Sequence, residues 1–339
     1  MSELKLCALQ IGTLALSNSR LDYYLQTAAK SGAKVVLLGE YVINSFFAEL
    51  ELMPKSMIKE QSESKKKALA ELAIKYDLHI IAPIVLVKPK EYVKAIAHFS
   101  QAGVKYRVAN ALMPYSHWNE AAFFSANESL EIGAFSVDGF KFATIFGFEA
   151  HFDEFFALAR AKKIDCLLMP TACALESGPR WDSLLSMRAF TNNIYILRAN
   201  RLGKATFGGG KNEHETQFYG RSMLCSPHGE ITHILGEKEE MLLATISKSE
   251  LNDAKKTWKF GTISNNFVRN VNDYVNIGET IRVKIIDTDH ENCQLKLSIK
   301  DINYRINNKR RTKIVETGTG FYCLKENLDK WIEEKKQEK

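Results

Sequence analysis

Short apolar segments alternate with amphipathic ones through the first three quarters of this chain, and few architectures accommodate that alternation. Strands are expected at Leu4–Gln10, Val35–Leu38, His79–Leu86, Ala95–Phe99, Phe142–Phe146, Cys166–Met169, Ile194–Ala199 and Ser222–Cys225. Helices are expected at Asn18–Lys30, Ser64–Tyr76, Phe152–Ala161 and Trp181–Asn192. In Ser64–Tyr76, Ala68, Leu69, Leu72, Ala73 and Tyr76 recur at spacings of three and four, with Lys65, Lys66, Lys67 and Glu71 off that face. Short apolar strands interleaved with such helices predict a layered α/β domain. Functional residues of α/β domains gather beyond the carboxyl ends of strands. Glu40, Gly147 and Cys173 each follow a strand end, so one shared cleft is expected to hold them.

Composition narrows the function classes. Of 339 residues, 45% are hydrophobic and 25% charged, the balance of a globular chain. No apolar run reaches the roughly 20 residues of a membrane span, and Met1–Lys5 leads straight into a strand without a secretory apolar region. The six cysteines form no Cys-x-x-Cys pair, so neither a metal site nor a disulfide framework is expected, and a reducing cytoplasm is the expected location. No cofactor motif stands out.

Charge divides the chain. Residues 255–339 hold 18 Lys and Arg against 12 Asp and Glu, whereas residues 1–254 balance at 28 of each. The whole net charge of +6 therefore lies in the last quarter, which suggests a polyanionic partner or a solvated basic tail. Two domains are expected, 1–254 and 255–339. In the second, Ile281–Ile285 and Gln294–Lys300 alternate around the turn Asp289-His290-Glu291-Asn292 and predict a hairpin. Its polar face would carry Arg282, Lys284 and Lys296, followed by the cluster Lys309-Arg310-Arg311.

Chemistry concentrates at two strand ends. Val35-Val36-Leu37-Leu38-Gly39-Glu40 ends a buried strand on a carboxylate, which is costly there without a partner or a task. In a cleft Glu40 could serve as a general base; otherwise it is the polar mouth of a strand. Phe142–Phe146 runs into Gly147-Phe148-Glu149-Ala150-His151-Phe152-Asp153-Glu154, a strand–turn–helix corner of the kind that presents nucleophiles. The corner residue is glycine, which has no side chain to attack with.

Several dispersed segments, in order, resemble the carbon–nitrogen hydrolase (nitrilase) family: Lys5–Gln10, Val35–Tyr41, Ala143–Glu154, Asp165–Pro170, Trp181–Ala189, Asn200–Gly203 and Gly220–Glu230. The resemblance covers residues 4–250 and implies an αββα sandwich, dimeric or larger, acting on amides, nitriles or carbamoyl amines. It also implies a Glu–Lys–Cys triad in which the glutamate moves the proton, the lysine holds the oxyanion and the cysteine forms a thioester. Glu40 matches the base, and Glu120 in Trp118–Phe124 matches a second family glutamate. Gly147 stands where the nucleophile is expected. The lysine expected directly after Tyr106-Arg107 is absent from Val108-Ala109-Asn110-Ala111-Leu112, and Lys105 is expected to point to the other face of its strand.

With two of three triad members missing, the resemblance implies a catalytically impaired protein whose cleft binds a small amide or amine. An active amidase using Cys173 as nucleophile is the alternative, weighed against the packing role usual for a small buried thiol. A second resemblance, over residues 260–335, is to part of a ribosomal protein S-one-type RNA-binding module, an OB-fold family. It implies an incomplete OB-like β module with a basic tail, since an OB barrel needs five strands and the first two and most of the third are missing. RNA is the partner this implies, with the first domain reduced to a scaffold if RNA binding is the main function.

Overall fold

The computed structural model describes residues 2–14, 18–174, 177–207, 214–258, 283–289 and 294–298. The chain divides into two units, Met1–Val268 and Arg269–Lys339.

In the first unit, strands β1 (Glu3–Gln10), β2 (Val35–Leu38), β3 (His79–Val87), β4 (Tyr92–Ser100) and β5 (Gly103–Val108) lie in sequence order in one sheet, with Glu240–Ser247 on the far side of β1 and Phe124–Ser125 beside β4. β1, β2 and β3 are parallel; β4 and β5 run antiparallel to their neighbours. A second, six-stranded sheet runs Ile231–Ile234, Met223–Cys225, Tyr195–Asn200, Cys166–Thr171, Phe140–Thr144, Phe135–Val137.

Side-chain alternation sorts the core into three apolar layers. Leu6, Ala8, Val35, Leu37 and Ile81 of the first sheet meet Phe142, Cys166, Leu168, Tyr195 and Leu197 of the second. On the other face of the first sheet, Cys7, Leu9, Val36, Leu38 and Ile80 pack under Leu21 and Leu25 of helix Ser19–Lys30 and Leu69, Leu72 and Ala73 of helix Lys55–Tyr76. On the other face of the second sheet, Ala143, Leu167, Met169 and Ile196 pack under Phe155 and Phe156 of helix Asp153–Ala161 and Leu185 and Ala189 of helix Gly178–Asn192. This is the expected αββα sandwich. None of the described helices is long and apolar enough to cross a membrane.

Every expected strand and helix of residues 1–250 is present, with shifted ends. The strand before the corner spans Phe140–Thr144 rather than Phe142–Phe146, and a 3-10 turn, Gly147–His151, precedes the helix at Asp153. Several hairpins were not expected, two of them near the strand ends that matter here. One joins Phe135–Val137 to Phe140–Thr144 through Asp138 (φ 46°) and Gly139 (φ 82°), the Asp-Gly pair that a tight hairpin turn favours. The other pairs Leu202–Phe207 with His214–Tyr219.

In the second unit, Lys284–Asp289 and Gln294–Ser298 pair antiparallel, so the hairpin forms with its first strand starting three residues later than expected and its second starting at Gln294 as expected. Lys284 is exposed. The side chain of Lys296 and residues Arg282, Lys309, Arg310 and Arg311 lie outside the described residues, as does most of the expected OB-like module.

Candidate functional site

The two sheets bring their strand ends together at Gly39. A Cβ there would stand 2.9 Å from the Arg201 amide nitrogen and 3.3 Å from the Thr171 carbonyl oxygen, so only glycine allows this approach. The next residue, Glu40, donates its amide to Thr171 O at 3.1 Å, stitching β2 to Cys166–Thr171 of the other sheet. Its carboxylate is thereby held at the junction, 3% exposed.

Lys94 closes the site. It lies in the middle of β4, 4% exposed, with its Nζ 2.5 Å from Glu40 Oε2 and 2.7 Å from Glu120 Oε1. Tyr41 donates its hydroxyl to the same Glu120 oxygen. The ammonium also sits over the rings of Phe146 (4.8 Å) and Tyr41 (5.0 Å), a cation–π setting. One lysine thus bridges two buried carboxylates.

The expectation that the site has lost its lysine is therefore corrected. The chain after Tyr106-Arg107 does lack one, but β4 and β5 pair so that Ala109 N donates to Lys94 O at 2.9 Å. The neighbouring strand supplies the cation across the ladder. The segment Val108–Leu112 serves another role: Asn110 N (2.7 Å) and Ala111 N (3.3 Å) donate to Glu149 Oε1. Glu149, paired with Arg107, also accepts from Phe146 N at 2.7 Å and so pins the corner from behind. A signal for Lys94 was present: a lysine inside the apolar run Val93-Lys94-Ala95-Ile96-Ala97 needs a buried anion.

The charge balance is uneven, two carboxylates to one ammonium. Burial pushes the Glu40 carboxyl up to about 7, against the pull of Lys94 and with a further push from Glu120. Burial lowers Lys94, but Glu120 and Glu40 outweigh it and the ammonium is held above its ordinary value. Glu120 Oε2 and the nearby Trp118 Nε1 are buried without a hydrogen-bond partner. Buried polar atoms left open in this way mark a place where a water or ligand group fits.

The corner is where it was expected. Gly147 N donates to Glu40 Oε1 at 3.4 Å, so Glu40 and the corner face one another. The position offers no room for a side chain: a Cβ on Gly147 would stand 2.6 Å from Thr171 Cγ2 and 3.5 Å from Glu40 Oε1. Thr171 is itself anchored, its Oγ1 donating to Ala199 O or Asn200 Oδ1 and accepting from Arg198 Nε at 3.1 Å.

Cys173 is buried, and burial raises its thiol above the ordinary value. The thiol's hydrogen-bonding neighbours are Arg198 and Thr171, the negative charge of Glu40 also raises it, and its amide donates to Asn200 Oδ1 at 2.7 Å. Among the described residues no hydrogen bond joins this thiol to Glu40, the contact through which a carboxylate would activate it. Lys105 is exposed on β5 and takes no part in the centre. Among the described residues no group of three or more His, Cys, Asp or Glu could hold a metal.

An aromatic cluster covers the site: Phe46 lies 5.0 Å from both Tyr41 and Trp118, 4.9 Å from Phe207 and 5.6 Å from Phe218. The last two rings come from the unexpected hairpin, whose role was hidden because polar and aromatic residues mix along it.

The family description "Carbon-nitrogen hydrolase" matches residues 13–256. N-carbamoylputrescine amidase of Oryza sativa subsp. japonica is 21% identical over 280 residues, 76% of this chain and 90% of that protein. The crystal structure of a carbon–nitrogen hydrolase from Helicobacter pylori G27 superposes with a TM-score of 0.70 at 19% identity, covering 76% of this chain and 94% of that one. A cysteine-to-alanine mutant of the amidase from Nesterenkonia sp. AN1, in complex with butyramide, superposes with a TM-score of 0.62 at 19% identity over 74% and 93%.

Proposed function

The chain belongs to the carbon–nitrogen hydrolase family, and from that premise we propose that it binds a small amide or amine without hydrolysing it through a thioester. The observation that carries this reading is the pairing of an intact Glu40–Lys94–Glu120 centre with a corner that holds no nucleophile. Removing a triad nucleophile costs several orders of magnitude in rate, even where the remaining groups are kept. Binding does not need that group. The two carboxylates, with one oxygen of Glu120 open, suit a ligand that donates hydrogen bonds, such as an ammonium or a carboxamide NH2. A butyramide complex of a cysteine-to-alanine amidase with this fold supports the idea that an amide is held when a cysteine side chain is removed.

Calorimetric titration with short aliphatic amides, N-carbamoyl amines and primary amines, alongside an assay for released ammonia, tests the proposal. Saturable binding without ammonia release, lost in Glu40→Gln, is the expected result. Turnover of any amide above the buffer rate, or no binding across the panel, overturns it. As the family resemblance implies, the proposal includes a homodimer or larger assembly, which sedimentation velocity checks.

A further inference from the structure

A second cavity, of about 190 Å3, opens away from the centre just described. It lies between β4–β5 and the chain Glu131–Phe135, and none of Glu40, Lys94, Glu120 or Gly147 lines it. A water needs roughly 10–15 Å3 of such space, so the cavity accommodates a molecule of about a dozen non-hydrogen atoms.

One wall is aromatic. Phe135 lies 4.0 Å from the His98 ring and stacks on Phe142 at 5.3 Å, and His98 stacks on His79 at 5.2 Å. His79 Nδ1 and His98 Nε2 are hydrogen-bonded at 2.9 Å. Burial pulls the His98 imidazolium down to about 4, so this wall is uncharged at neutral pH. Ile96 and Ile132 add apolar surface.

The remaining lining carries one charge of each sign. Lys105, from β5, and Glu131, from the facing chain, both line the cavity, and among the described residues neither forms an ion pair. The loop bearing Glu131 is fixed: its carbonyl accepts from Arg107 Nε (3.2 Å) and Nη2 (3.0 Å), and its amide donates to Asn110 Oδ1 at 3.2 Å. An ammonium and a carboxylate are therefore presented beside an aromatic wall without neutralising each other. The complement of that arrangement is a zwitterion with an aromatic body, which meets such rings edge to face.

We propose that this cavity binds an aromatic α-amino acid, its ring against Phe135 and His98, its carboxylate on Lys105 and its ammonium on Glu131. A ring bearing only a carboxylate leaves Glu131 unmatched and opposed; a ring bearing only an amine does the same to Lys105. The cavity also borders the first site's scaffold, because Arg107, which lines it, holds Glu149 behind the corner.

Titration of the full chain with L-phenylalanine, 3-phenylpropionate and 2-phenylethylamine tests the assignment. Saturable binding of phenylalanine, at least tenfold weaker binding of the two analogues, and a tenfold or greater loss in Lys105→Ala and Glu131→Gln are expected. Both substituted residues are exposed, so the variants retain the fold, and Glu40→Gln retains phenylalanine binding. Equal binding of all three compounds, no saturable binding of phenylalanine, or a loss in Glu40→Gln without one in Lys105→Ala overturns the proposal.

Discussion

The methyl group of Thr171 occupies the space that a side chain on Gly147 would need, its Cγ2 lying 2.6 Å from the position of a Cβ there. The bare corner is therefore built into the packing and is more than a single missing side chain. Gly147→Cys is expected to destabilise the protein by about 1–3 kcal/mol, the usual cost of overpacking. Thr171→Ser removes the methyl and keeps the hydroxyl that Arg198 and Asn200 use. The double variant should recover about 1 kcal/mol or more relative to the sum of the single changes, as adjacent sites do. Urea denaturation of the four proteins measures that coupling; strict additivity would mean the two positions do not compete.

Lys94 answers two carboxylates at once, and its removal leaves both facing each other in the core. Lys94→Met, similar in length, should cost about 3–5 kcal/mol, the range for breaking a buried ion pair. The deficit should be larger at pH 8 than at pH 5, because protonating a carboxyl relieves the uncompensated charge. Equal losses at both pH values count against an electrostatic origin.

Glu40 sets a pH dependence for ligand binding. With its carboxyl pushed up to about 7 by burial, it is largely protonated at pH 6 and ionised at pH 8. Affinity for a primary amine, which stays cationic over this range, should rise as pH passes through 7. Calorimetric titration at pH 6, 7 and 8 should show that rise in the wild type and no saturable binding by Glu40→Gln at any of the three. A wild-type affinity independent of pH would remove Glu40 from the ligand's contacts.

His98 gives an acid limb to the stability curve. Its folded value of about 4 lies below the ordinary 6.5. The unfolded chain therefore binds more protons between these values, and stability falls as pH drops from 6.5 towards 4. The size is on the order of 2 kcal/mol, discounted for the ring's partial exposure. Nearby His79 and Lys105 share the effect, since both charges act on the same ring. Thermal melts of His98→Phe should lose part of this limb; an unchanged acid limb would assign it to other groups.

Much of this molecule was readable before its fold. Uniformly apolar runs such as Val35–Leu38 and the three-four periodicity of Ser64–Tyr76 are local patterns, and local patterns survive folding. Glu40 and Gly147 were legible for the same reason, each marking the end of a strand. Strand ends were less so: Thr144 rather than Phe146 closes its strand, because pairing partners on both sides decide where the ladder stops. The Asp138-Gly139 turn was a readable signal that was missed.

By itself the sequence determined the layered α/β class, the two strand ends that make the site and the absence of a nucleophile at Gly147, because each depends only on residue type and near neighbours. Only the tertiary structure decided that Lys94 is the site's cation, that Thr171 seals the corner and that Cys173 sits beside Arg198. Those facts depend on which strands lie side by side. Lys94 and Glu120 are 26 residues apart in the chain and 2.7 Å apart in space. No local pattern encodes such a distance; the pairing of Phe124–Ser125 beside Tyr92–Val93 of β4 brings Glu120 back to it.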